Sequence, residues 1–182
     1  MREWYDLTGH RRGVAFWPKD QQYRHVVPNN NARLQANCNL YDLFPEEHIS
    51  ATALTAVLNS TVVVLSKYQF GRPVGNEGNL KIEIVDVAMM LVPSLQHASK
   101  TQLNKLETAF SRMSGRGPLQ FIAERRMRQM AYERACRQTE LAGLSDQCKL
   151  DMPDRRALDH AVLDLVGIKM RTRTHRMDQP PL

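Results

Sequence analysis

Hydrophobic and polar positions in the first part of the chain follow the short, interrupted pattern of β-strands and turns. Residues 14–17 form an apolar run, and residues 23–27 form a second run with partial alternation. Pro28 and three consecutive asparagines stop the second run. Runs of this length, bounded by turn-forming residues, predict strands. We predict a third strand over residues 32–40.

A long apolar segment over residues 46–68 predicts one buried helix. Pro45 precedes this segment. Glu46 and Glu47 begin it, in the first turn, where a helix favours acidic side chains. The middle of the segment is apolar on nearly all sides, which is typical of a helix enclosed by a core. The following pattern predicts a glycine-rich loop over residues 71–78, a half-buried strand over 80–84 and a short helix over 85–90.

Helical spacing of apolar residues dominates the second half of the chain. The predicted helices cover residues 101–113, 119–139 and 153–166, with a glycine-containing break at 114–118. Asp151 is the predicted N-cap of the last helix, and Gly167 is its predicted C-terminal stop.

These elements together predict an α+β fold. A small antiparallel β portion surrounds a buried helix, and a helical C-terminal extension follows it. We predict an α+β domain over residues 1–97, a helical extension over 98–168, and a tail over 169–182. The tail is basic and lacks a core-forming pattern, which predicts disorder.

The distribution of charge changes this picture more than its total does. Net charge is +6 over 182 residues. Residues 1–97 hold nine lysines and arginines against nine acidic residues, whereas residues 98–182 hold sixteen against ten. A basic half predicts contact with a phosphate backbone, and an arginine-rich solvated helical surface is the alternative interpretation.

Other compositional features exclude several classes of protein. The chain has no uninterrupted apolar run long enough to span a membrane. Its first residues are not followed by the apolar segment of a secretory signal. These two features predict a cytoplasmic protein. Its three cysteines lack the spacing of a disulfide framework or zinc site. The six histidines show no metal-binding spacing, so we predict no metal site.

Several short motifs occur in an order that resembles a known family. The motifs are Tyr23-Arg24-His25, Leu58-Asn59-Ser60, Gly71-Arg72 followed by Gly78 and Leu80, Leu91-Val92-Pro93, and a closing segment over residues 156–167 that contains Leu158-Asp159 and ends in Gly167. In this order they resemble the C-terminal target-recognition region of N6-adenine DNA methyltransferases from restriction and phage-defence systems. The resemblance covers most of the chain in patches.

Methylation chemistry of this class needs two motifs that the chain lacks. One is a glycine-rich turn after a strand, which holds S-adenosylmethionine. The other is a polar residue followed by Pro-Pro and an aromatic residue, which holds the flipped adenine. The single Pro-Pro pair lies in Gln179-Pro180-Pro181-Leu182, without the polar or the aromatic residue. We therefore expect no catalytic residue in this chain, and we expect S-adenosylmethionine to bind a separate catalytic domain or subunit.

Double-stranded DNA is the partner that the resemblance implies. Arginine and lysine can neutralise phosphates or donate to guanine, and asparagine can pair with adenine. The candidate DNA-binding residues are Arg11, Arg12, Lys19 and Arg24 near the opening strands, Arg72, Asn76 and Asn79 in the glycine loop, and Arg125 and Arg128 on the helix over residues 119–139. We expect Asn59 and Ser60 to serve packing, because a buried asparagine must find hydrogen-bond partners.

Two alternatives remain open at the level of sequence. The glycine loop can be a structural turn that joins a helix to a strand. The whole chain can be a helical module that binds a protein or RNA and has no connection with methylation. Steep salt dependence of DNA binding distinguishes the DNA-binding interpretation from this second alternative.

Overall fold

The computed structural model describes residues 9–75, 79–119 and 152–169. Within these residues the strands are β1 (Ala15–Pro18), β2 (Asp20–Gln21), β3 (Leu40–Leu43), β4 (Arg72–Val74) and β5 (Asn79–Lys81). The helices are α1 (Ala51–Leu58), α2 (Thr61–Phe70), α3 (Ile84–Met89), α4 (Lys100–Ser114) and α5 (Pro153–Leu165). The fold is α+β, as the sequence predicts.

Two small antiparallel sheets meet at a single residue. Strands β1 and β3 form one sheet, and the other has the order β2-β5-β4. Lys19 lies between β1 and β2: its N–H donates to Asn39 O at 2.9 Å, and its carbonyl accepts from Ile82 N at 2.8 Å. The chain therefore passes from one sheet to the other with its backbone hydrogen bonds satisfied in both.

The predicted helix over residues 46–68 is in fact two helices. Asn59 is the C-cap of α1, and Ser60 is the N-cap of α2, where its hydroxyl accepts from Val63 N. Asparagine and serine both favour helix ends, because their side chains bond to nearby backbone groups. The first helix also begins later than predicted, with Ser50 as its N-cap.

The β-structure differs from the prediction at three places. Residues 23–27 and 32–39 contain no strand, and the third strand is residues 40–43 instead. Residues 72–74, predicted as loop, form the edge strand β4. Pro73 is compatible with this position because an edge strand does not need every N–H for pairing. The prediction of a strand over residues 80–84 is confirmed with different ends, since the central strand β5 is Asn79–Lys81.

The predicted helices over residues 101–113 and 153–166 are confirmed, and their ends lie close to the predicted ones. Ser99 and Gln102 form a capping box at the start of α4. Pro153 occupies the first turn of α5, after Met152 as the N-cap. Gly167 has φ +74°, the left-handed conformation that ends many helices. The predicted Asp151 cap, the predicted helix over residues 119–139 and most of the predicted tail lie outside the described residues.

One hydrophobic cluster joins the two halves of the chain. It contains Trp17, Val27 and Val57 together with Leu106 from α4 and Leu158 from α5. Helix α4 packs against both α1 and α5. The predicted boundary between residues 97 and 98 therefore crosses a shared core, and the division into regions stays a prediction. No helix of the described residues is both long and apolar enough to cross a membrane.

Candidate nucleic-acid interface

The junction between α1 and α2 is built around the side chain of Asn59. Its Oδ1 accepts from Val27 N at 3.0 Å, and its Nδ2 donates to the carbonyl oxygens of Val27 and Thr55, each at 2.8 Å. Asn59 and Val27 are both buried. The expectation that Asn59 serves packing is confirmed, because this side chain satisfies the backbone of a segment that has no strand partner.

His25, two residues before Val27, contacts the same junction. Its Nε2 lies 2.7 Å from Leu58 O, and a carbonyl can only accept, so Nε2 carries the proton. Burial, with the positive charge of Lys67 as the next cause, lowers the pKa of His25 to about 3. The ring is therefore neutral at physiological pH, and it forms a T-shaped contact with Trp17, with ring centroids 5.6 Å apart.

Helix α5 contacts the junction with two charged side chains. The Arg155 guanidinium donates through Nη1 to Asn59 O. The Asp159 carboxylate accepts from Thr61 N at 2.8 Å and from Thr61 Oγ1 at 2.5 Å. These bonds satisfy backbone groups at the end of α1 and the start of α2, so a helix nearly 100 residues away in sequence fixes the junction.

A second buried polar pair lies beside the junction. Lys67 Nζ donates to Gln21 Oε1 at 3.0 Å, and Gln21 Nε2 donates to Val26 O at 3.1 Å. Burial lowers the pKa of Lys67 to about 8. The sequence prediction did not single out Lys67, although a lysine inside an otherwise apolar helix is the signal that could have found it.

One edge of the Arg72 guanidinium is hydrogen-bonded to another side chain of the protein. Its Nε and Nη2 donate to Asp86 Oδ1 at 3.3 and 2.9 Å, and Asp86 Oδ2 accepts from Glu83 N at 2.9 Å. The hydrogen bond from Glu83 N, assisted by Arg72, lowers the pKa of the Asp86 carboxyl. The Arg72 side chain remains 57 % exposed, so the rest of its guanidinium faces solvent.

Gly71 has a structural role that explains its place before Arg72. A Cβ at this position would lie 2.7 Å from Lys67 O and 2.7 Å from the Ile82 side chain. The glycine is therefore needed for the close approach of the end of α2 to its own carbonyl at Lys67 and to Ile82, the residue after β5. Asn79 pairs with Val74 across the β4–β5 hairpin, in which Gly75 has φ +70°. Gly71, Gly75 and Asn79 therefore have the structural roles that are expected if the glycine loop is a turn between a helix and a strand.

The candidates near the opening strands occupy separate positions. The Arg11 guanidinium lies 4.3 Å from the centroid of the Phe44 ring, and Lys19 Nζ lies 4.8 Å from that of Tyr41. Arg12 and Arg24 are exposed. The structure brings Lys19, Arg72 and Asn79 to strands of one sheet or to its edge. Arg24 lines a pocket with Asp20 and Gln21 of β2. Asn76, Arg125 and Arg128 lie outside the described residues.

A groove between α4 and α5 is a cationic feature that the sequence prediction missed. Lys105 and Arg112 line it from α4, and His160, Asp164 and Lys169 line it from α5 and the residues that follow. Lys105 Nζ lies 3.2 Å from Asp164 Oδ2. The sequence contains a signal for this feature. Polar residues recur every three or four positions along residues 101–112, and this spacing places them on one face of a helix.

Within the part of the chain that the structure describes, no group of three histidine, cysteine, aspartate or glutamate side chains could hold a metal ion. Comparisons with protein-family models, with curated proteins and with solved structures found no match to this chain.

Proposed function

We propose that this chain is the target-recognition portion of an N6-adenine DNA methyltransferase-like protein of a restriction or phage-defence system. It binds double-stranded DNA and reads the site in the cytoplasm. It does not catalyse methylation alone, because its sequence lacks the motifs that bind S-adenosylmethionine and the flipped adenine. A separate catalytic domain or subunit supplies that chemistry.

The observation that carries this proposal is the convergence of three of the five family-like motifs. His25 of the first motif bonds to Leu58 O, and Asn59 of the second bonds to both polar backbone groups of Val27. Asp159 of the closing motif accepts two hydrogen bonds from Thr61. Residues of three motifs that are far apart in sequence therefore meet at one buried junction.

Exposed positive charge supplies the second support. Arg11, Arg12 and Arg24 are exposed on the described surface, and so are Arg112 and Lys169 near α5. Exposed cations on several elements favour a large polyanionic partner over a small anion, because a duplex contacts many of them at once.

The alternative is a helical module that binds a protein or RNA. One observation favours a protein partner: Ile84, Val85, Met89 and Leu91 are between 55 % and 72 % exposed on and after α3. Exposed apolar patches mark interaction surfaces in soluble proteins. A catalytic subunit is also a protein partner, so this patch is compatible with the first proposal as well.

The deciding experiment is fluorescence-anisotropy binding of the whole chain to a randomised duplex pool across a salt series, followed by sequencing of the bound fraction. We expect enrichment of a short motif and affinity that falls steeply as salt rises. Binding without enrichment would place sequence reading outside this chain. Absence of binding at low salt would refute the proposal and favour the protein-binding alternative.

A further inference from the structure

The groove between α4 and α5 has one wall whose polar groups repeat at helical spacing. Thr101, Asn104, Lys105, Thr108 and Arg112 line it from α4, and the open space between the helices is about 800 Å³. These positions lie three or four residues apart, so their side chains project from one face of α4. Every polar side chain on this wall can donate a hydrogen bond, and the wall has no carboxylate.

Positive charge exceeds negative charge in the groove. Asp164 is the single carboxylate among its lining residues, and Lys105 neutralises it at 3.2 Å. Arg112 and Lys169 also line the groove and are exposed. Neither has a salt-bridge partner among residues 9–75, 79–119 and 152–169. Two cations on the groove are therefore available to an external anion.

The opposite wall of the groove contains a histidine with an unpartnered ring nitrogen. His160 lines the groove from α5, and its Nε2 is buried without a hydrogen-bond partner in the described structure. Buried polar atoms in native proteins nearly always have a partner, supplied by the protein, by water or by a ligand. The other groove positions offer this atom no acceptor or donor within hydrogen-bond distance.

We infer that the α4/α5 groove binds the phosphate backbone of duplex DNA, with Arg112 and Lys169 as the main phosphate contacts. This inference rests on the proposed function and names the surface that performs it. The hydroxyl and amide groups of Thr101, Asn104 and Thr108 donate to phosphate oxygens between the two cations.

The length and chemistry of the groove favour DNA over an acidic protein segment. Residues 101–112 of α4 extend over about 16 Å, which corresponds to roughly five base-pair steps along the axis of a duplex. Hydroxyl and amide donors mixed with arginine and lysine are the usual phosphate-contacting set in protein–DNA interfaces.

The test is the salt dependence of DNA binding by an Arg112→Gln/Lys169→Gln double variant of the whole chain. Each lost phosphate contact lowers the magnitude of the slope of log K against log salt by about 0.9, so we expect a decrease of about 1.8. The same loss makes binding roughly 60-fold weaker at 0.1 M salt. An Arg33→Gln variant removes a positive charge that is neither on the groove nor among the candidate DNA-binding residues, and it serves as the control with an unchanged slope.

A chemical footprint gives a second measurement that does not depend on the variants. Lys169 is expected to react more slowly with an acetylating reagent when a 20-base-pair duplex is present, whereas Lys81 is expected to react at an unchanged rate. Mass spectrometry of the acetylated chain measures both. Protection of Lys169 together with the smaller slope supports the inference.

The outcomes separate this inference from the proposed function. Wild-type binding with a steep slope that the groove variant retains would overturn the inference and leave the proposed function standing. Absence of wild-type binding would overturn both. If polyglutamate protects Lys169 and the duplex does not, the groove is a site for an acidic protein, and the DNA assignment is wrong.

Discussion

Asn59 shows how one side chain can replace part of a β-ladder. Val27 lies in a segment without a strand partner, and its N–H and C=O both bond to the Asn59 amide. Each of these buried groups would otherwise remain unsatisfied, at a cost of about 1–3 kcal/mol. The asparagine therefore stabilises the opening segment and the helix junction together.

Replacement of Asn59 by alanine tests this role. We expect Asn59→Ala to lower the free energy of unfolding by about 3 kcal/mol, because both polar backbone groups of Val27 lose their partners. Urea denaturation followed by circular dichroism measures the change. Asn39→Ala is the control, because Asn39 is exposed, and it should change stability by less than about 0.5 kcal/mol. Equal effects of the two variants would contradict the role assigned to Asn59.

His25 makes stability depend on pH in the acid range. Burial lowers the pKa of His25 to about 3 in the folded state, from 6.5 in the unfolded chain. The unfolded chain therefore binds more protons between these values, and stability falls as pH falls from 6.5 toward 3. The slope of the unfolding free energy approaches about 1.4 kcal/mol per pH unit in that range.

The measurement is the urea midpoint at pH 7, 6, 5 and 4 for the wild type and for His25→Gln. Glutamine can still donate to Leu58 O but does not titrate, so the variant should lose less stability on acidification. His97→Gln changes an exposed histidine and should follow the wild type. An identical pH dependence of wild type and His25→Gln would show that His25 does not carry this effect.

At the scale of elements, local signals predicted the helices better than the strands. Helices α4 and α5 depend on apolar spacing and end signals within the segment itself, and both were predicted within a few residues. The Asn59-Ser60 step carried an end signal too, but the apolar residues around it favoured a continuous helix.

The strands were harder because their partners are distant in sequence. Residues 23–27 have strand-like composition, yet their backbone bonds to the side chains of Gln21 and Asn59 instead of a neighbouring strand. Strand β4 contains Pro73 and follows a glycine, so its composition predicts a loop. Pairing with β5 overrides that local preference, and composition alone does not encode the pairing.

Gly71 tests the packing between α2 and β5. We expect Gly71→Ala to lower the free energy of unfolding by about 1–3 kcal/mol, because the added methyl group would collide with Lys67 O and with Ile82. Thermal and urea denaturation measure the loss. Gly117→Ala is the matched control, since a methyl group there meets no atom within 4 Å. Unchanged stability of Gly71→Ala would show that the C-terminal end of α2 and the Ile82 side chain can both move to accept the methyl group.

At the scale of the whole molecule, the sequence located the excess of positive charge but not the surface that displays it. Counting charges assigned the excess to residues 98–182. The α4/α5 groove joins Arg112 to Lys169 across 57 positions of sequence, and that proximity depends on helix packing. Conversely, Arg72 was predicted to be available for DNA, and one edge of its guanidinium binds Asp86. Composition predicts total charge, whereas ion pairing and exposure depend on the fold.

The shared core leads to a prediction about cooperativity. Leu158 of α5 is fully buried in the same cluster as Trp17 of β1. We expect Leu158→Ala to lower the free energy of unfolding by about 2–5 kcal/mol through lost burial and a residual cavity. Because the cluster joins both halves of the chain, Trp17 fluorescence and helical circular dichroism should shift to lower denaturant concentration by the same amount.

The measurement needs a Trp4→Phe background, since Trp4 and Trp17 are the two tryptophans of the chain. Leu65→Ala is the control, because Leu65 is 60 % exposed and its truncation removes little buried surface. Coincident transitions that shift together in Leu158→Ala are expected for one cooperative unit. A fluorescence transition that stays in place while the helical signal shifts would mean that the regions before and after residue 97 unfold independently. The predicted division of the chain would then describe two separate domains.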